Sequence, residues 1–218
     1  MRRMTVRPQR RIVTVCAALA LLSACGQSSA NDKAAAPLSE QQTKTVVPDA
    51  KAMPGWEVTN PPDAYSLEKA RSAGPDPCPK ELRKGCEGIR YAGSSEFSGT
   101  KKPNVSFTAM AYQNEAAAKA AYDVFWASYV KSLAKPEKLD IGALGDRRNA
   151  VVGVGGYEGE EAAIAQVRVG TVIVSLTAGV GRSTRLDHAL VKKLSAVFAD
   201  RAREAQAGEK PSAGVDTG

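Results

Sequence analysis

Histidine occurs once in this chain, at position 188, and there is no H-E-x-x-H pair, G-x-S-x-G elbow or Walker loop. Zincin, serine-hydrolase and P-loop chemistry therefore have no motif to stand on. His188 adjoins Asp187, but neighbours on a helix point about 100° apart and cannot serve as base and orienting acid for one another. It reads as an exposed helix histidine flanked by Arg185 and Lys192. The chain also lacks an apolar run of about 20 residues, the length a spanning helix needs. Long basic stretches are missing too, and with them any footprint for nucleic acid.

The N-terminus is informative. Its first eleven residues, MRRMTVRPQRR, hold five arginines and no acid. The apolar run Ile12 to Leu22 follows, of a length that suits the core of a secretory signal. Next comes Leu22-Ser23-Ala24-Cys25, which resembles the lipobox of bacterial lipoproteins. The reading is a signal peptide over 1–24, cleaved before Cys25, whose thiol carries a diacylglyceryl group. Two or three acyl chains exceed the two-signal requirement for stable anchoring. The predicted location is the cell membrane, lipid-anchored, with the folded part on the extracytoplasmic side. Arg10-Arg11 raises the twin-arginine route, but its surroundings fit the general secretory route better.

Processing changes the charge. The full chain carries 30 basic and 23 acidic residues, net +7. Five arginines leave with the signal, so the mature chain holds 25 basic against 23 acidic residues. The basic balance that would suggest a nucleic-acid partner mostly disappears.

Of four cysteines, Cys16 is removed and Cys25 is lipidated, leaving Cys78 and Cys86. An even pair in an oxidising compartment predicts a disulfide. Eight residues of straight helix span about 12 Å, whereas a disulfide wants Cα atoms within about 7 Å. The segment must double back, with Pro77, Pro79 and Gly85 at the bends. A metal or redox role is the weaker reading, because no histidine or third cysteine is near and the spacing is not C-x-x-C.

Residues 25–53 are rich in Ala, Ser, Gln, Lys and Asp and read as a disordered tether. Residues 206–218 read as a disordered tail, and 54–205 as a single domain. Within it, periodicity predicts a short strand at Gly55–Val58 ended by Asn60-Pro61-Pro62, then a brief helix over Ala64–Ser72. An irregular strand around Ile89–Phe97 follows. A firmer one puts Val105, Phe107, Ala109 and Ala111 on one side. A helix capped by Asn114 runs to about Ala134, with Ala118, Tyr122, Phe125, Tyr129 and Leu133 on one stripe. Three strands cover about 149–154, 162–169 and 171–178, and a last helix starts at Ser183 or Thr184. This order predicts an α+β fold, a twisted antiparallel sheet with helices packed on one face.

Pro54-Gly55-Trp56, the Cys78/Cys86 loop, Leu144-Gly145-Asp146 and Val167-Arg168-Val169-Gly170-Thr171-Val172 carry a resemblance. They look like actinobacterial surface lipoproteins similar to the extracellular sensor domain of mycobacterial Ser/Thr kinases, over about residues 53 to 203. The resemblance implies an antiparallel α+β unit with a cleft for an unidentified ligand. The chain departs from it in having one disulfide where the kinase domains have two.

No catalytic constellation emerges. Gly153 to Gly159 fails the G-x-G-x-x-G template because Glu158 replaces the third glycine, and acids at 158, 160 and 161 would repel an anion. Those acids also lack the alternating oxygen ligands of a loop calcium site. No metal or cofactor is predicted. The candidate recognition surface is aromatic. Tyr122, Phe125, Trp126 and Tyr129 crowd one helix and cannot all face the sheet; packing at the core and its rim is the first reading, and a groove lined by Tyr122 and Trp126 for an apolar group or sugar ring is the second. The functional expectation is a lipid-anchored, non-catalytic binding or sensor-like domain for an unknown small molecule. The alternatives are an envelope hydrolase with paired carboxylates and an interaction module for another envelope protein.

Overall fold

The computed structural model describes residues 35–73, 78–155, 160–181 and 184–216. The signal sequence, Cys25, the first part of the segment read as tether, Pro77, residues 156–159 and Ser183 lie outside the described residues.

Seven strands form one antiparallel sheet: β1 (Glu57–Ser66), β2 (Ile89–Ser98), β3 (Asn104–Tyr112), β4 (Ala134–Lys138), β5 (Arg147–Gly155), β6 (Glu160–Val169) and β7 (Val172–Val180). Their order is β1-β2-β3-β7-β6-β5-β4, and with the helices the fold is α+β. Val105, Phe107, Ala109 and Ala111 pair in register with Ala178, Leu176, Val174 and Val172. These residues make the floor of the main core. Helix α5 (His188–Gln206) and helix α1 (Glu40–Val46) cover that floor. Phe107 holds Phe97 and Phe198 edge-on at 5.9 and 5.2 Å.

The helices do not all lie on one face, as the sequence pattern suggested. Helix α4 (Glu115–Val130) packs on the opposite side, where Met110, Tyr112 and Ile173 meet Ala118, Ala121, Tyr122 and Phe125. The reason lies in the central strands. β6 is buried from Ala162 to Val169 without alternation, and a strand buried on both faces needs cover on both.

Helix α2 (Leu67–Ala73), a 3-10 turn (Lys80–Leu82) and helix α3 (Arg83–Cys86) precede β2. The Cys78–Cys86 disulfide closes this loop with its Cα atoms 6.0 Å apart. The loop presses on α4: a Cβ at Gly85 would come within 2.8 Å of the Phe125 ring. The Tyr112 hydroxyl donates to the Gly85 carbonyl at 2.9 Å.

The ordered domain is larger than expected. Residues 35–53, predicted to be tether, pack into it, with Leu38, Val46, Val47 and Met53 fully buried. Ser39 caps α1 in a reciprocal box with Gln42, a local S-x-x-Q signal that composition masked. The tail is also docked, as the Val215 N–H donates to the Ala52 carbonyl at 2.8 Å. Both segments meet at Arg201, a buried guanidinium on α5. It donates to the carbonyls of Thr45 (2.8 Å), Val46 (3.0 Å) and Ala213 (2.9 Å).

Two strands also differ from the expectation. β1 runs through Pro61-Pro62 instead of ending there, with register shifts on either side of Asn60. An edge strand tolerates proline because its outward N–H has no partner to lose. The helix predicted to reach Ala134 stops at Val130, and Ala134–Lys138, including Pro136, forms edge strand β4. The last helix is capped by Asp187, whose carboxylate accepts the Ala189 N–H, rather than by Ser183 or Thr184.

Two outcomes check this architecture. Arg201→Met should lower unfolding free energy by about 2–4 kcal/mol, since it strands several buried carbonyls at once. Limited proteolysis should then open residues 35–53 and 208–216 together; opening of only one segment would refute a shared clamp. The second outcome is pH dependence. Glu204 accepts from the Ser212 N–H and hydroxyl at 2.7 and 2.8 Å and from the Ala213 N–H at 3.3 Å. Burial pushes its pKa up, but those donors and Arg201 outweigh burial and leave it below the usual glutamate value. A depressed folded-state pKa means that the contribution exists above the ordinary value and is lost as pH falls through the lowered one. Amide-exchange protection at Ser212 and Ala213 should therefore persist through the ordinary glutamate range and fade only on acidification below it. Protection that stays level below that range as well would remove Glu204 from the docking.

Candidate functional site

The α4 stripe determines which aromatic groups are free. Asn114 starts the helix by accepting the Ala117 N–H at 2.8 Å. Ala118, Tyr122, Phe125 and Tyr129 then face the sheet. Trp126 follows Phe125, so it projects about 100° further round. It lands on the margin over Val151, Ile164 and Leu133, half-buried.

Beside Trp126 lies a cavity of about 530 Å³, also lined by Lys138, Asp140, Arg147, Arg148 and Asn149. Its origin is the short edge strand. β4 ends at Lys138, and the chain then crosses to the main core, where Ile141 is buried and Leu139 and Leu144 pack. The Leu139 N–H donates to the Ala150 carbonyl. Along a strand, N–H and C=O groups alternate between edges, so Arg148 presents its own to the same outer edge, past the end of β4. The cleft thus has an indole wall, an amide on its floor and a free stretch of strand edge.

The charges around it are not balanced. Arg147 is bound to Asp123 by two hydrogen bonds of 2.9 and 2.6 Å. Asp146 is held by Arg168 at 3.0 Å and by the Gly170 N–H at 2.8 Å. Asp140 accepts the Gly142 N–H at 2.9 Å. That N–H, followed by the charges of Lys192, Arg148 and Lys138, holds its carboxyl below the usual aspartate value despite a smaller opposing effect of burial. Three cations therefore act on this carboxylate without an ion pair to any of them.

Of the two aromatics expected at a groove, only Trp126 reaches it. Tyr122 is fully buried, its hydroxyl donating to the Gln166 carbonyl at 2.9 Å while the Gln166 side-chain amide donates back to the Tyr122 carbonyl at 2.8 Å. Burial pushes the phenol pKa far above its usual value, and the guanidinium of Arg147, 4.6 Å from the ring centre, only partly offsets this. Lys138, Arg148 and Asn149 carried no sequence signal, because strand pairing alone brings them together. The disulfide residues Cys78 and Cys86 are buried and lie apart from the cavity lining.

A second depression, about 650 Å³, lies toward the other end of the sheet, with Glu96, Asn104, Ser106, Glu160 and Thr177 among its walls. His188 pairs with Glu161 at 3.5 Å and lines neither space. Among the described residues, no three His, Cys, Asp or Glu side chains converge as metal ligands, and no helix is long and apolar enough to cross a membrane.

Tyr122→Phe should cost about 1–2 kcal/mol by leaving a buried carbonyl unpaired. It should leave the Trp126 emission maximum unchanged. A shifted emission would mean that Tyr122 borders the cavity after all.

No protein-family model matches the chain, and no curated protein matches its sequence. Among solved structures, the extracellular domain of PknH from Mycobacterium tuberculosis is similar at a TM-score of 0.50 and 13% identity. The match covers 80% of this chain and all of that one. At that identity the likeness is one of fold.

Proposed function

We propose that the processed chain is a lipoprotein held at the outer side of the membrane through Cys25, and that its domain is a non-catalytic binding module. The observation that carries the binding reading is Trp126, a half-buried indole that rests on the small Leu133–Ile164 cluster and walls a cavity of about 530 Å³. Cavities of about 300–1,000 Å³ with a few polar groups are the usual form of a small-molecule site. The likeness to an extracellular kinase domain supports the location, as do the disulfide and the lipobox.

Packing of residues 35–53 shortens the leash that composition suggested. From Cys25 to Ala35 the chain can reach at most about 35 Å, so the domain stays close to the bilayer. The hydrolase reading would need Glu96 and Glu160, the two acids of the broader depression, although Glu96 is exposed to solvent. The large apolar residues most exposed among the described ones, Val58 and Val154, sit on strands far apart in the sheet order and make no joint docking patch.

Cys25→Ala should leave the domain folded but abolish labelling by radioactive palmitate and move the protein from the membrane to the soluble fraction. Equal fractionation of the two proteins would exclude the lipid anchor. For the binding module, native mass spectrometry of the protein purified from its own membranes should show a retained small molecule. Turnover abolished by Glu96→Gln or Glu160→Gln would instead establish the hydrolase.

A further inference from the structure

We infer that the Trp126 cavity takes an acidic saccharide, a sugar ring bearing a carboxylate or phosphate. The inference rests on the binding reading above and specifies its ligand. Trp126 offers an aromatic wall, the surface on which the apolar face of a pyranose or another flat ring settles. The N–H and C=O of Arg148 at the strand edge supply a donor and an acceptor beside it, and the Asn149 side chain, also held by Tyr122, lines the same space. A purely apolar ligand would leave these groups unpaired at a cost.

Charge then selects among ring-bearing ligands. Lys138 and Arg148 line the cavity, and Lys192 adds to them at Asp140. Arg147 and Asp146 are already committed to Asp123 and Arg168, so neither changes the balance. Lys138 pairs with Val151 and so projects on the Trp126 side of β5, whereas Arg148 shares the parity of Ala150 and reaches the cavity around the strand edge, from the side where Asp140 and Lys192 lie. A cationic ligand would meet net repulsion, and a neutral sugar would leave the Lys138 charge unused. A carboxylate or phosphate on the ring answers it through a charge-assisted hydrogen bond from Lys138, with Arg148 adding its charge from the edge. The second depression is lined by Glu96 and Glu160 without a basic side chain, so an anion favours the Trp126 cavity over it; a smaller space of about 260 Å³ with Lys44, Arg201 and Lys210 in its wall has no aromatic side chain for a ring.

The test uses the full processed chain carrying Trp56→Phe, which leaves Trp126 as the reporter; Trp56 itself is covered by Lys102 at 4.9 Å, away from the cavity. An array of carboxylated, phosphorylated and neutral oligosaccharides is screened, and hits are titrated by Trp126 emission and calorimetry. Binding is expected to acidic members, with the carboxylated and phosphorylated arms showing which anion is preferred. Affinity should fall at least tenfold for the neutral counterpart and for Lys138→Gln/Arg148→Gln, and should be lost in Trp126→Ala. Glu96→Gln, in the other depression, should have no effect. Equal binding of acidic and neutral sugars, or no acidic hit with a chain whose circular dichroism is unchanged, overturns the inference. Hits that survive the Lys138, Arg148 and Trp126 substitutions overturn it too, yet leave the binding module standing with its site elsewhere.

Discussion

One guanidinium holds the ends of the domain together. Arg201 is buried on α5 without a carboxylate in contact and is solvated instead by carbonyls of Thr45, Val46 and Ala213. Two of those belong to the C-terminus of α1, where unpaired carbonyls concentrate partial negative charge. Seven residues are too few for a helix to persist alone, so α1 exists because its apolar side is buried and its end is neutralised. Burial disfavours the charged guanidinium, while Asp49 and Glu204 favour it. Glu204 in turn binds the tail at Ser212 and Ala213, so the two chain ends meet over a common pair of charges.

The segments that resembled surface lipoproteins turn out to be a second lock. Leu144-Gly145-Asp146 docks against Arg168-Val169-Gly170: the Asp146 N–H donates to the Arg168 carbonyl, and the Asp146 carboxylate accepts from Gly170 and Arg168. Gly145 has φ of +55°, and a Cβ there would sit 2.4 Å from the Arg168 carbonyl oxygen, so no other residue fits without movement. Next to it, Thr171 and Gln206 bind the Ala36 carbonyl, tying the start of the described chain to the β6–β7 turn. These contacts hold the turn, the loop and the start of the described chain together; the likeness to the kinase domain is one of fold and says nothing of what either binds.

Legibility followed the range of the interactions. Val105 to Ala111 alternates, the α4 stripe repeats at helical spacing, and Asn114 caps it through its own side chain, so local pattern sufficed for the central strands and that helix. The disulfide followed from cysteine count and compartment. Failures came where a distant partner overrides a local rule. Pro61, Pro62 and Pro136 read as breaks, but each lies in an edge strand that needs pairing on one side only. Residues 35–53 read as tether because their polar composition hides four apolar side chains whose partners lie far along the chain. The cavity was half legible: crowding on α4 forced an aromatic outward, but its cationic walls come from β4 and β5, and β4 itself was hidden by Pro136.

Rigidity decides whether that cavity can discriminate. The Tyr122–Gln166 exchange pins α4 to β6 in the middle of the helix, a buried polar contact that tolerates no slippage because each end would lose a partner. Arg147 covers the Tyr122 ring and binds Asp123, the next residue of the helix, fixing the start of β5 to α4. Trp126 stands one turn beyond Tyr122, between these ties and the Leu133 cluster, so its wall is set before any ligand arrives. A wall placed in advance spares the ordering cost that weakens loop-built sites. Lys138 and Arg148, at the strand edge, are exposed side chains that can adjust to a carboxylate or a phosphate. The fold thus separates a fixed surface for the ring from a movable one for the charge.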